Sequence, residues 1–254
     1  MDDRQHTLTA FVLRQHAVGE ADRVLVLLTR EQGLRRALAR GLRKAGSRLG
    51  GRLEAFRETS VTLVRGRNLD VVAGAESLRR FPAVATDFDA LAAGLAATEL
   101  LLAFLAEDDP QPEAYDMYAR LLGRLGPGAP AEVLLCAFEL QLLDALGYRP
   151  ELEACTACGE PITDASGFAG LAVEAGGAVC VGCEGQLASR PRRLTGAAWQ
   201  LLVGLRSLDL EAGQPPEVPA DLAAQARSAL KAYTSFHAER DLKAQRMFDW
   251  KGEP

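Results

Sequence analysis

The sequence predicts an α+β chain in two parts, a small β-barrel followed by a helical body that carries a cysteine-rich insert. Three observations predict it. Short apolar and β-branched runs crowd residues 1–80, a 3.6-residue apolar period takes over after Pro82, and two C-x-x-C pairs interrupt the second half.

The strands come first. LTAFVLRQ (8–15) and DRVLVLLTR (22–30) are rich in apolar and β-branched residues, and GLRRALARG (33–41) sets Leu34, Arg36, Leu38 and Arg40 in alternation. ETSVTLVRGRNLDVVAGAE (58–76) reads as two strands around a turn at Gly66, Arg67 and Asn68. Five short strands with a Gly-rich connection between the third and fourth suit a barrel of the OB type over residues 1–81.

The helical part spans 82–254. Over 88–105, Phe88, Leu91, Leu95, Leu102 and Leu105 fall on one face, and Leu101 and Phe104 widen it enough to predict deep burial. A helix over 112–125 should end at Gly126, Pro127 and Gly128. Another over 131–146 has Gly147 where a C-cap glycine belongs and Pro150 beyond it. Thr195 is placed to cap a helix carrying Trp199, Leu202 and Leu205. After Pro215 and Pro216, a last helix from about Asp221 holds Leu222, Ala226, Leu230 and Tyr233 in register. No internal repeat or low-complexity tract interrupts this order.

The insert, 152–186, contains CTACGEPITDASGFAGLAVEAGGAVCVGC. Cys155 and Cys158 form one C-x-x-C turn, Cys180 and Cys183 the other, and the 21 residues between them match the spacing of a zinc ribbon. Gly159, Gly182, Gly176 and Gly177 supply the positive φ angles that knuckles and hairpin need. The expectation is one structural zinc per chain. Four thiolates close the coordination shell, so no position remains for a catalytic water. A redox pair is the poorer reading, because thioredoxin-like motifs do not come twice. Cys136, among Val133, Leu140 and Leu143, reads as a small hydrophobe.

Charge is unevenly shared. Up to residue 80 there are 16 Lys and Arg against 9 Asp and Glu, a net of +7; beyond it 13 face 25, a net of -12, which returns the chain's -5. The excess concentrates in GLRRALARGLRKAGSRLGGRL (33–53), where Arg35, Arg36, Arg40, Arg43, Lys44, Arg48 and Arg52 have no carboxylate between them. Such asymmetry suggests a basic module that meets a polyanion, joined to a body that does not.

Other classes fit poorly. MDDRQHTLTAF lacks an apolar signal core, and the most apolar run, LAAGLAATELLLAFLA (91–106), is shorter than a bilayer span and contains Glu99. A cytoplasmic, reducing location without disulfides is expected, with no membrane partner. No stretch has the order of a phosphate-cradling loop, a G-x-S-x-G elbow or an H-E-x-x-H helix. His6, His16 and His237 lack companions at motif spacing, and Asp87, Asp89, Asp108 and Asp109 read as capping and loop residues. A nuclease is the enzyme closest to the charge pattern, and no motif supports it.

Three segments together carry a family resemblance. GEADRVLVLLTREQGLRRALARGLRKAGSRLGGRLEAF (19–56) resembles the amino-terminal signature of the bacterial DNA repair protein RecO family. That signature is an acidic-polar turn, a strand, Thr-x-x-x-Gly, a second strand and a basic Gly-Arg-Lys-Ser linker leading to Leu-x-x-Phe. Here it is present as Glu20, Ala21 and Asp22, Thr29 to Gly33, Gly41 to Ser47, and Leu53 to Phe56. The insert is similar to the family's Cys knuckle, with Phe168, Gly176 and Gly177 ahead of Cys180 and Cys183. FHAERDLKAQRMF (236–248) is similar to its His-x-x-Arg-x-Leu-Lys-Ser-Arg ending, with Ala244 and Gln245 in place of the usual Ser.

The resemblance implies an OB-fold, a helical carboxy-terminal domain, and a recombination mediator that is not an enzyme. It implies binding of single- and double-stranded DNA, annealing of complementary strands, and nucleoid association. With RecR, such proteins load RecA onto DNA coated by single-strand-binding protein, whose C-terminal tail they bind, in the RecFOR pathway. The seven cations would neutralise phosphates without reading bases. Only Phe11, Phe56 and Phe81 among the barrel's residues are rings that could stack, and none lies among the cations, so duplex should bind too. Arg190, Arg192 and Arg193, just beyond the insert, are expected to extend the surface. The rival class is a zinc-ribbon transcription or adaptor protein; against it, residues 155–183 contain no Lys or Arg.

Overall fold

The alternating runs form β1 (Gln5–Val18), β2 (Asp22–Thr29), β3 (Gly33–Ala39), β4 (Arg57–Val64) and β5 (Asp70–Arg80). A computed structural model describes residues 5–44 and 46–252, with side chains as far as Phe248; readings that touch 1–4, Ala45 and 253–254 lie outside it. The strands close a barrel in the order β1-β2-β3-β5-β4, with β1 returning to β4, the strand order of an OB-fold. Closure is uneven. β3 meets β5 in parallel only at Ala37↔Asp70 and Leu38↔Val71, which leaves the first half of β3 without a strand on that side. The inner side of β3 is Ala37 and Ala39, whereas Leu34 and Leu38 lie on the opposite side, Leu34 packed toward the helices and Leu38 half-buried.

The helices are α1 (Pro82–Thr86), which the sequence pattern did not suggest, α2 (Phe88–Phe104), α3 (Pro112–Arg124) and α4 (Ala131–Ala145). Asp87 caps α2 by accepting the Ala90 N–H at 2.9 Å. Gly147, at φ 81°, ends α4 as expected, and the Tyr148 N–H reaches back to the Leu143 carbonyl at 2.8 Å. After the insert come α5 (Gly196–Leu205), capped by the Thr195 hydroxyl, and α6 (Ala220–His237). The chain then turns along 3-10 geometry over Ala244–Gly252. No helix of the described residues is long and apolar enough to cross a membrane.

On α2 the expected face is met only in part, with Leu101 and Leu105 buried. Phe88 is 46% exposed and Leu91, Leu95 and Leu102 are half-buried, whereas Ala90, Ala92, Ala93, Ala96 and Ala97 are buried. The cause is close approach: a Cβ on Gly94 would come within 2.9 Å of Phe56 and Val84. The helix therefore turns a face of small residues, with Leu100 and Leu101, to its neighbours, and Leu91, Leu95 and Leu102 sit at its margins.

The barrel encloses a core of its own, with Leu25, Leu27, Val61 and Leu63 at its centre, and shares a second one with the helices. Phe11, Leu28, Leu34, Phe56 and Phe81 belong to the same apolar cluster as α2, α3 and α4. The Phe11 ring sits 5.1 Å from both Tyr115 and Tyr118. Polar clamps frame the contact: the Tyr115 hydroxyl donates to Glu58 at 2.8 Å, and Arg30 holds Asp116 through two bonds of 3.0 Å.

Candidate nucleic-acid interface and metal centre

The insert folds around a hairpin of β6 (Phe168–Ala172) and β7 (Gly177–Cys180), with the turns at 155–158 and 180–183 brought face to face. It is fastened to the body by Trp199, whose indole N–H donates to the Leu152 carbonyl at 2.7 Å and whose ring stacks on Phe168 at 5.2 Å. Gly159 and Gly176 adopt φ 77° and 83°, as the knuckle and hairpin require. Gly177 is needed for another reason: a Cβ there would lie 2.1 Å from the Glu151 carbonyl. Gly182 stays outside the left-handed region, because the second knuckle closes by the Cys183 N–H to Cys180 carbonyl bond and runs into a 3-10 turn.

The sulfurs of Cys155, Cys158, Cys180 and Cys183 all lie within 4.8 Å of one another. A tetrahedral zinc with bonds near 2.3 Å spaces its sulfurs about 3.8 Å apart, and the Cys158–Cys180 pair is at 3.9 Å. The donor set and spacing fit a closed tetrahedral site. Ionisation is divided unequally. Burial opposes a Cys155 thiolate, yet N–H donors from Cys180, Cys158 and Ala157 outweigh it and pull the thiol down to about 6. Hydrogen bonding to Cys180 and Cys158, with burial, pushes Cys183 up to about 12. Four thiolates cannot coexist at this distance without a cation among them. Cys136 is buried, and its thiol is held well above its ordinary range by desolvation, as a small core hydrophobe should be.

The basic run is not one surface. Arg40, Arg43, Lys44 and Arg48 are exposed in the β3–β4 connection, and none has an ion pair or side-chain hydrogen bond with a described residue. That connection is pinned to the β1–β2 turn: the Gly41 N–H donates to Asp22 at 2.7 Å and the Arg43 N–H to the Ala21 carbonyl at 3.1 Å. Arg35 and Arg36 instead turn to acids. Arg35 pairs with Asp70 at 3.0 Å and with Asp108, and Arg36 with Glu107 at 2.9 Å. Arg52 donates to the Ala75 carbonyl at 2.9 Å. Phe11, Phe56 and Phe81 are all buried, so none can stack on a base.

Of the second group, Arg190 is exposed, Arg192 donates to the Ser228 hydroxyl at 2.5 Å, and Arg193 pairs with Glu184 at 3.1 Å. This group is carried by the insert and α6, whereas the barrel meets α2 and α3. Two exposed cations in the β4–β5 connection, Arg65 and Arg67, escaped the sequence reading, although they flank the Gly66 turn in plain view. Glu107 and Asp108 escaped as partners of Arg36 and Arg35 because more than seventy residues separate each pair.

Comparison with known proteins agrees with this geometry. Residues 1–81 match the family model for the N terminus of recombination protein O, and residues 85–246 match that for its C terminus. The DNA repair protein RecO of Roseiflexus sp. (strain RS-1) is 37% identical over 250 residues, covering 98% of this chain and 87% of that protein. RecO of Anaeromyxobacter dehalogenans (strain 2CP-C) is 37% identical over 249 residues, 95% of each. RecO of Cutibacterium acnes is 35% identical over 243 residues, 92% of this chain and 95% of that one. An OB-type barrel joined to a helical body with a four-cysteine knuckle, matched along nearly its full length, belongs to the RecO family of DNA repair and recombination proteins.

Proposed function

We propose that this chain is a recombination mediator and not an enzyme. It binds single- and double-stranded DNA without sequence preference, anneals complementary strands, and with RecR helps load RecA onto DNA coated by single-strand-binding protein, whose C-terminal tail it engages. The observation that carries the DNA reading is the group of four exposed cations, Arg40, Arg43, Lys44 and Arg48, that have no ion-pair partner among the described residues, beside the β1–β2 turn. They neutralise phosphates and release counterions, which gives affinity without base readout. Buried barrel aromatics support duplex as well as single strands as ligands.

Annealing follows from holding two strands on one cationic edge. Lower phosphate repulsion and raised effective concentration join them without bond chemistry. Among the described residues the four cysteines are the one cluster able to hold a metal. Cys155, Cys158, Cys180 and Cys183 would hold one zinc, which supplies structure by cross-linking the two knuckles. The boundary between the DNA-binding domain and the helical domain falls at Phe81 and Pro82, and the protein works in the cytoplasm at the nucleoid.

Salt-dependent binding tests the reading. Arg43→Ala with Lys44→Ala should weaken binding to every sequence alike and flatten the slope of log affinity against log salt by about one to two, about one per lost phosphate contact. Unchanged affinity and slope in fluorescence anisotropy would place the DNA path elsewhere, with Arg190, Arg192 and Arg193 the next group to replace.

A further inference from the structure

The first half of β3, at residues 33–36, lacks β5 as a neighbour, and the segment 106–110 that follows α2 takes the open edge instead. Its docking is made by backbone. The Asp108 N–H donates to the Leu34 carbonyl at 3.0 Å, and Glu107 forms a parallel bridge with Leu34. Asp109 lies so near that a Cβ on Gly33 would stand 2.0 Å from its carbonyl oxygen. Asp108 accepts φ 61°, a left-handed conformation that Asp tolerates better than most residues. The carboxylate of Glu107 is thereby delivered to Arg36, on the outward side of β3 where OB-folds take oligonucleotides, and that of Asp108 to Arg35, which leaves the opposite side at the open end of the strand.

We propose that segment 106–110 is an intramolecular phosphate mimic that competes with DNA for Arg35 and Arg36 and so limits the affinity of the barrel. The proposal rests on the DNA-binding reading above and deepens it. With Asp70, three carboxylates meet Arg35 and Arg36, so neither arginine is left uncompensated, Arg65 being the exposed cation that borders the same cleft as Arg35 and Asp108, while the 40–48 connection carries four cations. Stability does not account for the pair at Arg36: both side chains are about half exposed, 52% and 53%, where ion pairs contribute little. A phosphate arriving there exchanges one anion for another and releases few counterions. DNA thus binds through the loop and is easily let go, which suits a protein that must hand strands on.

The test is anisotropy of a labelled single strand and a labelled duplex, titrated with the full chain across salt. Glu107→Gln with Asp108→Asn keeps the backbone docking, since Asn also accepts a positive φ. It should bind roughly 3- to 10-fold tighter at ~100 mM salt, with a slope steeper by about one to two. Glu107→Gln alone, at an exposed pair that the fold does not need, should steepen it by about one. Adding Arg36→Ala to Glu107→Gln should cancel that gain. Unchanged affinity in the Gln/Asn variant, or a gain that survives Arg36→Ala, overturns the proposal. If Arg43→Ala with Lys44→Ala weakens binding normally, only this proposal falls; if that variant too binds like the parent chain, the basic-edge reading falls with it.

Discussion

Glu139 shows what one residue can impose. It is wholly buried on α4, with Gln245 at 3.3 Å. Burial raises its carboxyl to about 7, and Thr234, Gln245 and Arg227 offset only part of that. A carboxyl whose folded pKa lies above its unfolded value binds more protons when folded, so stability falls as pH rises from about 4.5 through 7. Thermal melts should show wild type losing about 1–3 kcal/mol across that window through this group. Glu139→Gln should lose less and equal or exceed wild type above pH 7; parallel pH profiles would contradict this. Gly33→Ala is the steric counterpart. At φ 69°, and with Asp109 in the way, it should cost at least ~2 kcal/mol in a denaturant titration, and no loss would show that segment 106–110 is loosely placed. Cysteine identity was legible at this scale because a C-x-x-C turn is local. The fate of Arg35 and Arg36 was not, because it depends on a loop that reaches them only after the barrel and α2 have packed.

Among the elements, strands and long helices could be read from period alone, and their ends from Asp87, Thr195 and Gly147, whose capping is a matter of a few neighbouring residues. The orientation of α2 could not. In a helix with six Ala and five Leu among its 17 residues, more than one face looks apolar, and the choice was made by how closely Phe56 and Val84 approach Gly94. The insert tests element-level energetics most simply. Its core has Ile162, Phe168, Val179 and Trp199 as its large side chains, with Ala172, Ala178 and the sulfurs of Cys155 and Cys183 filling in, a small core for a fold of this length. Cys155→Ser or Cys180→Ser should abolish binding of about one zinc per chain and lower the melting temperature, since metal binding and folding are coupled in such modules. Chain purified without chelator that contains no zinc would refute the metal assignment.

At the scale of the whole molecule, the barrel is not a bead on a string. Phe11 lies between Tyr115 and Tyr118, and Glu58 on β4 receives both the Tyr115 hydroxyl and Arg79, at 2.8 and 2.9 Å. Charge and period showed two parts; only the packed structure shows their common core. Urea unfolding followed by barrel and helix signals should therefore give coincident transitions, and two separated midpoints would show that the shared core does not couple them. The bonds of Gly41 to Asp22 and of Arg43 to Ala21 tie the start of the β3–β4 connection to the barrel, so Arg40, Arg43 and Lys44 leave it beside the β1–β2 turn of a chain whose net charge is negative. Annealing of two labelled complementary strands, in chelator and without nucleotide, tests that account most directly. The protein should speed joining, lose the effect steeply as salt rises, lose most of it with Arg43→Ala and Lys44→Ala, and leave both strands full length on a denaturing gel even with magnesium. Protein-dependent shortening of a strand, or no acceleration at low salt, would contradict it.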